Sequence, residues 1–369
     1  MVATYETKTD YKVVGKTPIR HDALEKVTGR AVYGGDVKAP GLIWGDVVRS
    51  PHSHARIKSI DTSDALKLEG VFAVLTHDDF PIAEERELES GEDVVNLKRD
   101  QANVMADDKV HYKGHVVAAV AAVDRNTAEE AASRIKVEYD VLQNVSDVDS
   151  AMSDDAPIIL ENLVGDHLGE DVPNTNIAKI FRYEFGNLDD AFNNSDLVVE
   201  RTVTMSMIHQ GYIEPHNATA IWAEDGQITV WSSTQGSFGV RSQTAGMVGV
   251  AESKVKVNYV EIGGGFGGKT KVYLAPIAAL LSKKSGGRPV KLVMDRTSVF
   301  EATGPAPGGK IRMKIGVNKD GKITAADTDI MFESGGYPGS AVGAAANCIF
   351  ACYDPVSYTH LTLPTNREV

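Results

Sequence analysis

Short apolar runs broken by turn residues fill the first third of the chain. Residues 44–49, 55–60 and 71–76 carry enough β-branched and aromatic positions to predict strands, and 115–123 is a continuous apolar run suited to burial on both faces. After it, Thr127-Ala-Glu-Glu130 has the spacing of a capping box, predicting a helix rich in Ala and Glu that runs towards Arg134. Residues 141–180 lose this periodicity and turn acidic, with Asp147, Asp149, Asp154, Asp155 and an Asp171-Val-Pro173 turn, so they read as a connection between two folded parts. Strand patterning returns at 197–208. Two hairpins follow, one with Asp225-Gly226 within 220–232, the other with Asp320-Gly321 between 310–317 and 322–332. Between them lies a strand at 255–262, a glycine-rich stretch, a helix at 272–284 and a strand at 290–294 ending in Asp295.

Composition adds bounds to this pattern. At 369 residues the chain is long for one core, and an allowance of about 100–200 residues per domain gives about two or three domains. A net charge of -13 repels phosphate backbones and anionic lipid surfaces, which disfavours nucleic acid and membrane as partners. The start has no apolar core of a signal peptide and no long apolar run follows, so a cytoplasmic protein is expected. Two cysteines, Cys348 and Cys352, are too few for an iron-sulfur cluster and read as small apolar packing residues. Any redox chemistry would need borrowed cofactors.

The glycine-rich stretch is the candidate site. Residues 263–270 match the nucleotide-binding pattern G-x-x-x-x-G-K-[ST], and five glycines in six positions let backbone N–H groups converge on anionic oxygens. The strand, loop, helix and strand around it, with Asp295 as a Mg²⁺-binding acid, fit an ATP- or GTP-binding P-loop. The flanking hairpins do not, because a P-loop domain is a mostly parallel sheet. A purely structural turn with Lys269 as a solvated charge, and an oxyanionic cofactor other than nucleotide, also remain open. Glu214-Pro-His216 with His209 has the chemistry of a zinc or iron site but lacks helical ligand spacing and a third histidine nearby. His52 and His54 read as polar packing residues.

Several segments together resemble one family. Lys26-Val-Thr-Gly-Arg-Ala-Val-Tyr-Gly-Gly-Asp36 and Arg49-Ser-Pro-His-Ser-His-Ala-Arg-Ile57 resemble the a/b-hammerhead domain of the large, molybdenum-binding subunit of the xanthine dehydrogenase and aldehyde oxidase family. Gln210-Gly-Tyr-Ile-Glu-Pro-His-Asn-Ala-Thr-Ala220, Ser233-Thr-Gln235 and Gly263-Gly-Gly-Phe-Gly-Gly-Lys269 resemble, in order, three motifs of its molybdopterin-binding region. The implied fold is α+β: a hammerhead domain over 15–142, a linker over 143–180, and part of the molybdopterin-binding domain over 181–355, with mixed sheets, hairpins and one strand, loop, helix and strand unit. Residues 356–369 match no family segment and read as a non-native tail.

The resemblance implies an enzyme that hydroxylates an aldehyde or aromatic N-heterocycle with oxygen from water. Its cofactor would be Mo-molybdopterin, in the cytosine dinucleotide form. Gln235, Gly265, Phe266, Gly267 and Gly268 would hold that cofactor. Gln235 and Phe266 would lie against oxygen ligands of molybdenum without ligating the metal, and loop amides, Gly267 among them, would act as donors. Thr270 and Ala344 stand where purine-oxidising relatives carry a glutamate and an arginine, which points away from purines. The family's general-base glutamate has no counterpart and would lie beyond the chain end, so no catalytic residue is assigned. This chain would be inactive alone. The implied partners are the C-terminal half of the same subunit, an iron-sulfur subunit and an FAD subunit.

Overall fold

Seven consecutive buried residues, Val116–Ala122, form the centre of the larger core. In this computed structural model, which describes residues 11–83, 85–90, 93–338, 353 and 357–366, they pair antiparallel with Ile43–Arg49 on one side and Val71–Leu75 on the other. Side chains alternate across a sheet. Ala119 and Ala121 therefore join the cluster that packs against helix Ala275–Lys284, while Ala118, Val120 and Ala122 join the one under helix Arg125–Arg134. The small residues let both helices come close.

The helix at Arg125–Arg134 begins earlier than the capping-box spacing indicated. Asp124 is the cap, its carboxylate accepting the Thr127 N–H at 2.8 Å, so Thr127 lies inside the first turn. Helix Ala275–Lys284 starts three residues after position 272, with Pro276 in its first turn, where a missing N–H costs nothing. The strand expected over 255–262 is shorter, Val255–Asn258, with Glu261 making an isolated bridge to Tyr33.

The sheet around this core has the order Val255–Asn258, Ile228–Ser232, Asn217–Trp222, Val290–Val293, Ile43–Arg49, Val116–Ala122, Val71–Leu75. Ile43–Arg49 lies parallel to Val290–Val293, so one sheet runs through both halves of the sequence and the stretch 143–180 does not divide it. The Asp225-Gly226 hairpin forms as expected, with Asn217–Trp222 antiparallel to Ile228–Ser232.

A second seven-stranded mixed sheet contains the other hairpin, Gly309–Val317 with Ile323–Gly335, and ends at Leu197–Met205. The acidic stretch is not the irregular connection the sequence suggested. It contains helix Val148–Ala151 and a tight hairpin, Val164–His167 with Glu170–Pro173, that extends this sheet. Leu168 and Gly169 turn the hairpin with φ of 59° and 90°. A Leu-Gly pair hides a turn that usually announces itself as Asn-Gly. Residues 356–369, read as a tail, supply the strand Ser357–Asn366, parallel to Ile323–Gly335 and antiparallel to Lys179–Phe185. Cys348, Cys352 and Ala344 lie outside the described residues. Among the described residues, no helix is long and apolar enough to cross a membrane.

Candidate functional site

The glycine loop leaves the edge of the first sheet and returns towards helix Ala275–Lys284 in a conformation that most side chains resist. Gly264 and Gly267 have φ of 91° and 88°, and Phe266 between them has φ of 50°. Despite that strain its ring is 74% exposed, so burial does not explain it. Strain at an exposed aromatic makes Phe266 the candidate position of the loop. Three glycines are also required by close approach: a Cβ would lie 2.5 Å from Glu214 at Gly263, 2.5 Å from the Gln235 amide at Gly265, and 2.8 Å from the Tyr212 ring at Gly268.

Most of the loop's polar groups are held from beneath. Gln235 Oε1 accepts the N–H groups of Gly267 at 2.9 Å and Lys269 at 3.1 Å, and the Gln235 N–H donates to Lys269 O at 3.0 Å. This network fixes the orientation of the Gln235 amide, because only its oxygen can accept two N–H groups. The NH₂ occupies the other branch, facing away from those donors. Glu214 Oε2 accepts from Gly263 N at 2.7 Å, Ser233 Oγ at 2.6 Å and Lys269 Nζ at 2.8 Å. Lys269 is fully buried over the Tyr212 ring. Burial alone would raise the Glu214 carboxyl, but the hydrogen bonds from Lys269, Ser233 and Gly263 outweigh it and hold the group below the usual carboxylate range. Burial likewise pulls the Lys269 ammonium below its ordinary value, against the opposing pull of Glu214.

Behind this layer runs a chain of neutral side chains. His209 Nδ1 accepts from Gly211 N at 3.0 Å, so its Nε2 carries the proton that faces Thr303 Oγ1 at 2.9 Å. Thr303 Oγ1 meets Tyr212 OH at 3.0 Å, and Tyr212 OH meets His216 Nε2 at 2.7 Å. Burial pushes His216 down to about 3, so it stays uncharged next to Lys269. Glu214, His216 and His209 are thus committed to separate hydrogen bonds. Among the described residues no group of three or more His, Cys, Asp or Glu could hold a metal ion.

These contacts overturn the nucleotide-binding reading of the motif. A P-loop lysine must reach the phosphates, whereas Lys269 is 0% exposed and paired with Glu214. The same burial removes the view of Lys269 as a solvated charge. Thr270 Oγ1 donates to Gly267 O at 3.0 Å, and Asp295 caps helix Arg296–Ala302 by accepting from Ser298 N at 2.6 Å. The donor set is also narrower than expected: the N–H groups of Gly263, Gly267, Gly268 and Lys269 all have acceptors inside the protein. Of the other loop residues, Phe266 is exposed, Gly264 is half-buried and Gly265 is buried against Gln235.

Phe266, Gly267, Gly268 and Thr270 border a cavity of about 330 Å³ whose other walls include Tyr112, Tyr273, Pro305 and Tyr337. The lining of this cavity carries one cation, Lys271, against Asp100, Glu301 and Glu333, a balance unsuited to a polyphosphate.

A family profile described as the molybdopterin cofactor-binding domain matches residues 168–366, more than half of the chain. A second, the aldehyde oxidase and xanthine dehydrogenase a/b hammerhead domain, matches 28–143. The chain belongs to the molybdenum-dependent xanthine dehydrogenase and aldehyde oxidase family.

Within that family it is 31% identical over 346 residues to the nicotinate dehydrogenase large molybdopterin subunit of Eubacterium barkeri, covering 94% of this chain and 76% of that one. It is 33% identical to the carbon monoxide dehydrogenase large chain of Afipia carboxidovorans, covering 87% of this chain but only 40% of the relative. Reconstituted CO dehydrogenase from Oligotropha carboxidovorans superimposes with a TM-score of 0.82 at 30% identity, over 96% of this chain and 44% of that chain. The aldehyde oxidoreductase of Desulfovibrio gigas gives 0.80 at 25%, over 94% and 38%. The chain therefore spans about three-quarters of the first of these relatives and about two-fifths of the others. These likenesses bear out the family and the α+β hammerhead fold expected from the motifs.

Proposed function

We propose that the chain holds Mo-molybdopterin on the glycine loop, as part of an enzyme that hydroxylates an aldehyde or aromatic N-heterocycle with oxygen from water. The observation that carries this is the exposed, strained Phe266 at the crown of a loop whose base is fixed by Gln235 and Glu214. The residues fit such a group: Gln235 presents a neutral NH₂ at any pH, and Gly265, Phe266 and Gly267 put backbone, not side chain, nearest to it. When bound, the molybdenum-pterin group supplies the redox centre through which a substrate carbon gains a hydroxyl.

The protein's own part is positioning. Gln235 donates from a direction set by its anchored oxygen, Gly268 closes the loop against Tyr212, and Phe266 walls the cavity where a substrate would lie. Thr270 and Ala344 carry no group that would orient a purine, which favours aldehydes and other heterocycles. We assign the cytosine dinucleotide form of the cofactor, and as partners the remainder of the subunit and the iron-sulfur and FAD components that would take the electrons away.

Expression in a host that makes the cofactor, followed by metal analysis and fluorescence of the released, oxidised pterin, tests the reading. Molybdenum and pterin should copurify with the chain in equal amounts and decline in Gln235→Ala. A chain that carries neither, and instead binds an ATP analogue, would restore the nucleotide reading.

A further inference from the structure

We propose that Glu214 is the positioning residue of the loop: one carboxylate oxygen ties its entry to its exit and so sets where Phe266 stands towards the cofactor. The proposal rests on the molybdopterin reading above. Three donors from three places in the chain meet on Glu214 Oε2: Gly263 N at the loop entry, Ser233 Oγ after strand Ile228–Ser232, and Lys269 Nζ at the exit. Lys269 Nζ reaches Ser233 Oγ as well, at 2.6 Å, closing the ring of contacts. The other oxygen accepts from Asn217 Nδ2 at 3.2 Å, linking the carboxylate to strand Asn217–Trp222.

The segment before Glu214 is braced independently, since Arg296 donates to the carbonyls of Tyr212 at 2.8 Å and Ile213 at 2.5 Å. A left-handed backbone at Phe266 relaxes unless its ends are held at a set separation, and a largely buried ion pair that joins them does this. Gly263 completes the arrangement: any Cβ there would lie 2.5 Å from that of Glu214 and push the carboxylate away. The lysine that imitates a phosphate ligand in the sequence is thus the counter-charge of a clamp.

Removing only one partner leaves a buried charge and would confuse unfolding with loss of position. The test is therefore the double variant Glu214→Leu/Lys269→Met, which keeps volume and removes both charges. Hydrogen exchange, thermal unfolding and pterin content are measured on it and on the parent chain. The thermal midpoint should stay near that of the parent. Exchange at the Gly263 amide should rise about tenfold or more, the equivalent of one charge-assisted hydrogen bond, while the Val116–Ala122 amides stay protected. Pterin content should fall in parallel.

A folded double variant with parental protection at Gly263 and Lys269 overturns the clamp. Lost protection with undiminished pterin overturns its role towards the cofactor. If the parent itself holds no pterin, the exchange result still decides the clamp and only the molybdopterin reading fails. Should that double variant not fold, Glu214→Gln/Lys269→Met also removes both charges, keeps a polar group of the same shape, and is read by the same exchange at the Gly263 amide.

Discussion

Single atoms decide how far each loop position tolerates change, and neighbouring glycines differ for different reasons. At Gly268 the obstacle is the ring of Tyr212, 1% exposed and unable to yield, so Gly268→Ala should cost about 2–3 kcal/mol through overpacking. At Gly267 nothing stands within 4 Å and only φ opposes a side chain, so Gly267→Ala should cost about 1–2 kcal/mol. Urea denaturation of the two variants checks that order. Phe266→Gly should move the other way, gaining about 1 kcal/mol by relieving a left-handed φ while losing pterin, since the ring is exposed and contributes little to the core. A loss of stability there would mean the ring packs in solution. The glycine content of the loop was legible in the sequence, as were Gln235 and Phe266 through their motifs. The role of Lys269 was not. A lysine next to glycines reads as solvated, and only the folding of Glu214, Ser233 and Tyr212 around it shows otherwise. The Glu214-Pro-His216 spacing was the available signal, and it suggested a metal before it suggested a clamp.

At the scale of elements, strands and hairpins followed the alternation of side chains and the Asp-Gly turns, because both signals are local. Val116–Ala122 could be recognised as doubly buried from seven apolar residues alone. Boundaries moved where a stronger local competitor stood nearby, as with the Asp124 cap and Pro276. The hairpin at Leu168-Gly169 escaped notice because Leu occupies a left-handed position normally filled by Asn. Leu168→Asn should therefore stabilise the protein by about 0.5–1 kcal/mol, visible as a higher thermal midpoint. An unchanged or lower midpoint would show that the leucine side chain contributes contacts outweighing its backbone cost.

For the whole molecule, burial of neutral histidines sets an acid limit. Burial pushes His111, His115 and His216 each down to about 3, against an ordinary value of 6.5. Below pH 6.5 the unfolded chain takes up protons that the folded one refuses, so unfolding becomes easier as pH falls from 6.5 towards 3. Each histidine contributes up to about 1.4 kcal/mol per pH unit in that window. Urea midpoints should therefore drop between pH 7 and pH 5, where carboxylates are still largely ionised, and His216→Gln should flatten the slope. A midpoint independent of pH in that range would mean these rings are hydrated and titrate normally.

What the sequence determined by itself was local or cumulative: alternation, turn chemistry, a glycine loop, and ordered motifs specific enough to identify a family. What only the tertiary structure decided was which charges are buried and which segments meet. Ile43–Arg49 lies beside Val290–Val293, and Glu214 faces both Gly263 and Lys269, across separations that no periodicity reports. Desolvation explains the difference. The same lysine is a phosphate ligand when its ammonium faces water and a structural counter-ion when a carboxylate and an aromatic ring enclose it, and that enclosure is a property of the packed chain.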